Sequence, residues 1–180
     1  MDDLPDIPIN IRSFCKEDLS ACKLLYRDGL LGGQLAENDT GLDIDDIDAA
    51  YMRDPGNHFW VAEAKPSAKP STDEATEQIV GMIGVQHYED GVGEIRRLRV
   101  RHNMRRKGIG SKLIEHALRF CQEHNYLKIT LDTFMEREPA MKLFEKFHFR
   151  HSRTKMVGGK ELLYFYLDLY SRDQRPRQSP

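Results

Sequence analysis

Cysteine, tryptophan and net charge are all scarce in this 180-residue chain, which has three cysteines, one tryptophan and a formal charge of −2. Cys15, Cys22 and Cys121 are an odd set without paired spacing, which argues against a disulfide framework and suits the reducing cytoplasm. The near-neutral balance gives no whole-chain positive field, so bulk nucleic-acid binding is not expected. No apolar run approaches the ~20 residues that a membrane-spanning helix needs, so no membrane partner is expected either. The opening residues, Met1-Asp-Asp-Leu-Pro-Asp-Ile-Pro8, are acidic and lack the apolar centre of a signal peptide. The seven histidines show no ligand spacing, and no metal site is expected. What is present is 39% apolar and 31% charged residues, the balance of a soluble globular domain with one real core.

The pattern along the chain reads as one domain over residues 9–170, with a loose leader at 1–8 and a polar tail at 171–180. Ile9 and Ile11 alternate as a first strand. Leu19, Cys22, Leu25 and Tyr26 then share a helix face. Gly29 to Gly41 reads as a glycine-rich loop and Asp43 to Tyr51 as a helix, with its carboxylates at the positive end of the helix dipole. Lys65 to Glu77 has almost no apolar residues and reads as a flexible connection between two strands. Further strands are expected near 78–88, 93–101, 127–133 and 160–168, with helices over 108–125 and 142–147. Together these make a mixed, twisted α/β sheet flanked by helices.

Chemistry concentrates at Arg105-Arg106-Lys107-Gly108-Ile109-Gly110-Ser111, between a strand and a helix. Glycines there let the backbone approach a ligand closely, and the free amides of a first helical turn favour an anion. The spacing fits neither a P-loop nor a dinucleotide fingerprint. Arg96, Arg97, Arg99 and Arg101 on the preceding strand look like a nucleic-acid patch. Strand alternation would send them to opposite faces, as ion-paired or solvated groups. The carboxylates Glu37, Asp39, Asp43, Asp45, Asp46 and Asp48 read first as a solvated helix face, with attraction of a cationic amine as the second reading.

The R-x-x-G-I-G turn resembles the pyrophosphate-binding signature of GCN5-related N-acetyltransferases (GNATs). Arg12–Leu25, His58–Glu63 with Ile79–Gly84, Glu94–Val100, and Leu131–Thr133 with Pro139–Phe149 resemble other segments of that family in the right order. The resemblance covers roughly residues 9–168. It implies a single-domain acetyltransferase fold in which the fourth and fifth strands splay apart around the pantetheine arm of acetyl-coenzyme A. It also implies direct acetyl transfer to a primary amine on a small molecule or a peptide. Amides and side chains of Arg105, Arg106, Lys107, Gly108, Ile109, Gly110 and Ser111 would hold the diphosphate. Backbone groups of Leu98, Arg99 and Val100 would meet the pantetheine, and a strand amide near Leu98 would meet the oxyanion. Glu94 lies fourteen residues before Gly108, where histone-modifying members keep a catalytic carboxylate. It is expected to act as the general base, directly or through water, with a surface or ion-paired role as the alternative.

Two positions depart from the family. Phe144 stands where a tyrosine often protonates the leaving thiolate, and His148 stands where glycine is common. Phe144 is expected to pack near the sulfur end of the cofactor without donating a proton. That departure keeps a non-catalytic acyl-coenzyme A-binding module open as an alternative, and the Arg96–Lys107 run keeps a nucleic-acid-binding protein open as a lesser one. The acceptor is expected to be read by the segments near Gly29–Tyr51 and Arg153–Lys160, the latter taken as a loop. Whether the chain is a monomer or a homodimer is left open.

Overall fold

The computed structural model describes residues 8–64 and 78–170. The leader through residue 7, the 65–77 connection and the 171–180 tail lie outside the described residues. Seven strands form one sheet: β1 (Ile9–Ser13), β2 (His58–Ala64), β3 (Ile79–Glu89), β4 (Val92–Val100), β5 (Lys128–Phe134), β6 (Arg150–Val157) and β7 (Lys160–Asp168). Their order is β1-β2-β3-β4-β5-β7-β6. Every neighbouring pair is antiparallel except β4–β5, which is parallel and joined by the crossover helix α3 (Ile109–Glu123).

Helix α1 (Leu19–Asp28) and the short α2 (Leu42–Asp45) cover one face of β2–β4. Phe14, Cys22, Leu25, Ile44, Tyr51, Phe59 and Met82 pack there. Helices α3 and α4 (Glu138–Lys146) cover the other face, where Ile109, Leu113, Ile114, Ala117 and Cys121 recur every three or four residues and all point inward. Helix α3 stops where the His124 ring meets the Phe120 carbonyl at 2.9 Å and Asn125 turns to a positive φ of 59°.

Three expectations need correction. The helix expected over Asp43–Tyr51 is two short pieces, α2 and a helical turn at Asp48–Met52, broken at Asp46. The Asp46 carboxylate accepts the Ala49 amide at 3.0 Å, which starts a new turn instead of continuing the old one. The segment expected as a substrate loop at Arg153–Lys160 is mostly strand β6, turning tightly through Gly158 and Gly159 at φ 56° and 75°. The arginines of β4 do not split between faces. A bulge opposite Met82–Gly84 puts Arg97 at φ 59° and breaks the alternation, and Arg96, Arg97 and Arg99 all lie on the α1 side.

Candidate active site

Strands β4 and β5 pair only over Val92–Glu94 and Lys128–Thr130. Beyond them β4 follows β3 to Val100 while β5 follows β7 to Phe134, and the sheet opens into a slot. The Arg101 amide bonds the Val80 carbonyl at 2.8 Å, so alternation along the strand turns the backbone groups of Leu98 and Val100 away from β3 and toward the slot. Both carbonyls already have a partner. Leu98 accepts Arg99 Nη1 at 2.8 Å and Val100 accepts Arg105 Nε at 3.2 Å. The Leu98 and Val100 amides are therefore the donors that this lip can offer.

At the end of β4 the chain runs through Arg105, Arg106 and Lys107, all exposed, to Gly108 at the start of α3. Arg106 and Gly108 both have positive φ, at 63° and 75°. The first intrahelical bond is donated by the Lys112 amide to the Gly108 carbonyl, so the preceding amides of that turn have no partner inside the helix. A Cβ on Gly108 would meet nothing within 4 Å, which leaves the turn open to a ligand, whereas one on Gly110 would sit 2.9 Å from Leu143 of α4. Ile109 is buried in the core, and Ser111 Oγ accepts Lys146 Nζ at 3.0 Å.

On the α1 side the uncovered part of the sheet is polar. Glu94 and Thr130 face each other across the closed end of the slot, Asp132 follows on β5, and Tyr164 of β7 pairs with Asp132. Glu94 is half-buried, and among the described residues its carboxylate accepts no hydrogen bond; its charged neighbour Arg96 lies 3.9 Å away. Burial raises its pKa, Arg96 opposes the rise and the negative charge of Asp132 adds to it. Asp132 is open to solvent along the groove, but the protein packed around it also raises its pKa, against the pull of Arg96 and Arg97. Arg153 lies over the Tyr164 ring at 4.4 Å and borders the same face.

Arg97 is clamped rather than free. It donates to Asp39 at 2.6 and 2.8 Å and to Asp43 at 2.8 Å through Nε, with a further bond from Nη2 to Asp43. Tyr26 and Tyr51 hydroxyls complete these carboxylates at 2.9 and 2.6 Å. Asp39 and Asp43 are thus internal ligands of an arginine, not the solvated face expected for them. The clamp also removes Arg97 from any nucleic-acid patch.

Phe144, expected near the cofactor sulfur, is only 4% exposed, and its ring lies 5.9 Å from Phe149 and 6.0 Å from Phe165 in the main core. His148 is exposed at φ 63°, a backbone conformation that favours glycine. Asp132 and Tyr164 escaped the sequence reading, although polar residues alternate with Ile129 and Leu131 in β5. Arg137, at the start of α4, has no local signature at all.

Residues 25–149 match the family model described as Acetyltransferase (GNAT) family. The chain belongs to the GNAT acetyltransferase family. Its donor, as a family, is acetyl-coenzyme A. N-acetylaspartate synthetase of Rattus norvegicus is 34% identical over 110 residues, which are 61% of this chain and 33% of that protein. N-acetyltransferase 8 of Homo sapiens is 30% identical over 113 residues, 60% of this chain and 45% of that protein. The chain therefore spans less than half the length of these two curated relatives. Among solved GNAT-like structures, yncA from Salmonella typhimurium, determined with its cofactor acetyl-CoA, shares the fold at a TM-score of 0.72 and 17% identity, covering 96% of this chain and 99% of that one. An acetyltransferase of the GNAT family from Staphylococcus aureus Mu50 shares it at 0.72 and 19% identity, covering 90% and 99%.

Proposed function

We propose that this chain transfers an acetyl group from acetyl-coenzyme A to a primary amine. The observation that carries the reading is the parting of β4 and β5 after Glu94, with the open basic turn at Arg105–Ser111 at the far end of the same lip. A thioester arm laid in the slot would pair with the Leu98 and Val100 amides as an added strand does. The diphosphate would then meet the exposed Arg105–Lys107 charges and the free amides of α3.

Two carboxylates with raised pKa border the groove from which the amine would arrive. Leu98 and Glu94 are four residues apart with a bulge between them, a separation of about 10–13 Å at ~3.3 Å per residue. Glu94 would therefore take the ammonium proton through water rather than directly. The neutral nitrogen attacks the thioester carbonyl, and the oxyanion meets the Leu98 amide. The carbon–sulfur bond then breaks as the attacking nitrogen gives a second proton to water and the neutral amide remains. The departing thiolate takes its proton from solvent or from the relay, since Phe144 has none to give.

The test is a thermal melt with acetyl-coenzyme A, followed by a free-thiol assay over an amine panel. A ligand at a hundredfold excess over its dissociation constant adds about 2.7 kcal/mol to stability. A clear upward shift is expected, abolished in Gly108→Asp. No shift in the native chain would end this reading.

A further inference from the structure

Arg99 and Arg137 come from opposite lips of the slot and converge on one backbone turn. Arg137, at the start of α4, donates Nη2 to the Gly29 carbonyl at 2.6 Å. Arg99, on β4, is pressed so closely against Gly29 that a Cβ there would lie 2.5 Å from its Nε. Its Nη1 holds the Leu98 carbonyl, and its Nε is buried without a hydrogen-bond partner among the described residues. Among the described residues no carboxylate lies within ion-pair distance of either guanidinium, and the nearby Asp39 and Asp43 are already occupied by Arg97.

A buried, unpaired cation is costly, and an orphaned donor beside it adds to the cost. Here burial, reinforced by the positive charges of Arg137 and Arg97, pushes the Arg99 pKa down to about 9. Arg137 is lowered too, by burial and by Arg105. Three guanidinium groups against two carboxylates leave this cluster short of one negative charge. Among the described residues both unpaired groups donate hydrogen bonds only to backbone carbonyls, which leaves N–H donors on each for a visitor.

We propose that Arg99 and Arg137 form an oxyanion-binding subsite that takes a carboxylate of the acceptor, so that the acceptor is an amino-acid-like amine rather than a simple alkylamine. This rests on the acetyl-transfer reading above and gives it a substrate class. The position favours the acceptor over coenzyme A phosphate. Arg99 lies on the α1 side of β4 and bonds the carbonyl of Leu98, whose amide would hold the thioester oxygen. The exposed phosphate turn lies beyond the end of the strand. A carboxylate seated there would hold an α-amine close to the thioester carbon, while Glu94 is reached through water.

The test compares acetylation of L-amino acids with that of the matching amino-acid amides and of alkylamines, in the native chain and in Arg99→Met and Arg137→Gln. Native chain should prefer acids to amides by about tenfold or more in kcat/KM, the scale of one charge-assisted contact. In both variants that ratio should fall toward one, with the loss in acceptor KM. Equal use of acids and amides by the native chain would overturn the proposal. So would variants that raise the KM of acetyl-coenzyme A and leave the ratio intact, which would assign the arginines to phosphate. Succinate gives a readout that needs no turnover: it should raise Tm in the native chain and not in either variant. Arg137→Gln is half-exposed and guards against misfolding at Arg99. If no amine is acetylated, the acetyl-transfer reading fails on its own, and the succinate shift still decides whether the two arginines bind a carboxylate. A shift that persists in both variants, or is absent from the native chain, overturns that binding.

Discussion

Arg97 holds Asp39 across 58 residues of sequence in a two-pronged pair, Nη1 to Oδ2 at 2.6 Å and Nη2 to Oδ1 at 2.8 Å. The same guanidinium takes Asp43, so one β4 side chain fastens the segment between α1 and the second helical turn to the sheet. Arg97 also has φ 59° at the bulge, a conformation that costs a non-glycine residue about 1–3 kcal/mol. The clamp offsets that strain, and the bulge aims Arg96, Arg97 and Arg99 together at the acceptor side. Stability and site geometry therefore depend on the same contact.

Arg97→Met should lower stability by about 3–5 kcal/mol, because it leaves two half-buried carboxylates facing each other without a counter-charge. Urea unfolding measures it. Adding Asp39→Asn and Asp43→Asn to that variant should recover part of the loss, since the repulsion goes with the charges. A loss below 1 kcal/mol for the single variant would mean that the carboxylates relax into solvent.

The clamp also sets an acid limit. Burial would raise the Asp39 pKa, but the hydrogen bonds and charge of Arg97 outweigh it and hold the carboxyl at about 2. A depressed folded pKa gives stability that is fully present above the ordinary value near 3.8 and is lost as pH falls through about 2. The difference amounts to about 2 kcal/mol at full effect. Urea midpoints should therefore decline between about pH 4 and pH 2, and Arg97→Met should lack that part of the decline.

Much of this fold was legible because its signals are local. Ile109, Leu113, Ile114, Ala117 and Cys121 repeat at helical spacing, and the glycines at 108 and 110 mark where helix α3 begins. The Arg97 clamp was not legible, because its partners are 54 and 58 residues away and a bulge has no sequence period. Arg137 reaches Gly29 over 108 residues and belongs to the same class. The β6 strand was read as a loop because its residues are polar and almost all exposed, which hides the usual alternation. The resemblance supplied the family and its expected site, but not the Arg97 clamp or the paired arginines.

The two glycines of the turn should separate cleanly on mutation. Gly108→Ala meets open space, so its cost should be that of a left-handed backbone alone, about 1–2 kcal/mol. Gly110→Ala places a methyl 2.9 Å from Leu143 Cδ2, and overpacking costs about 1–3 kcal/mol unless the leucine shifts. A double-mutant cycle with Leu143→Ala should show coupling of at least about 0.5 kcal/mol for Gly110→Ala and none for Gly108→Ala. Equal coupling at both would place Leu143 elsewhere.

Glu94 and Asp132 face one groove, and their coupling gives the base assignment its sharpest test. Burial raises the Glu94 pKa, Arg96 opposes this, and the negative charge of Asp132 raises it further. A base works only when deprotonated, so kcat/KM should climb with pH through a value above that of an ordinary glutamate. Asp132→Asn removes one negative neighbour, which makes the carboxylate easier to form and should move that acid limb to lower pH. Glu94→Gln should abolish the limb and lower the rate by about 10²–10⁴-fold, the usual contribution of a positioned base. The amine titrates on its own, so the comparison must use one acceptor throughout and read the displacement between variants. If Glu94→Gln keeps the native profile between about pH 6 and 9, solvent is the base. If Asp132→Asn shifts nothing while Glu94→Gln is inactive, Glu94 acts but Asp132 is too well hydrated to sense it.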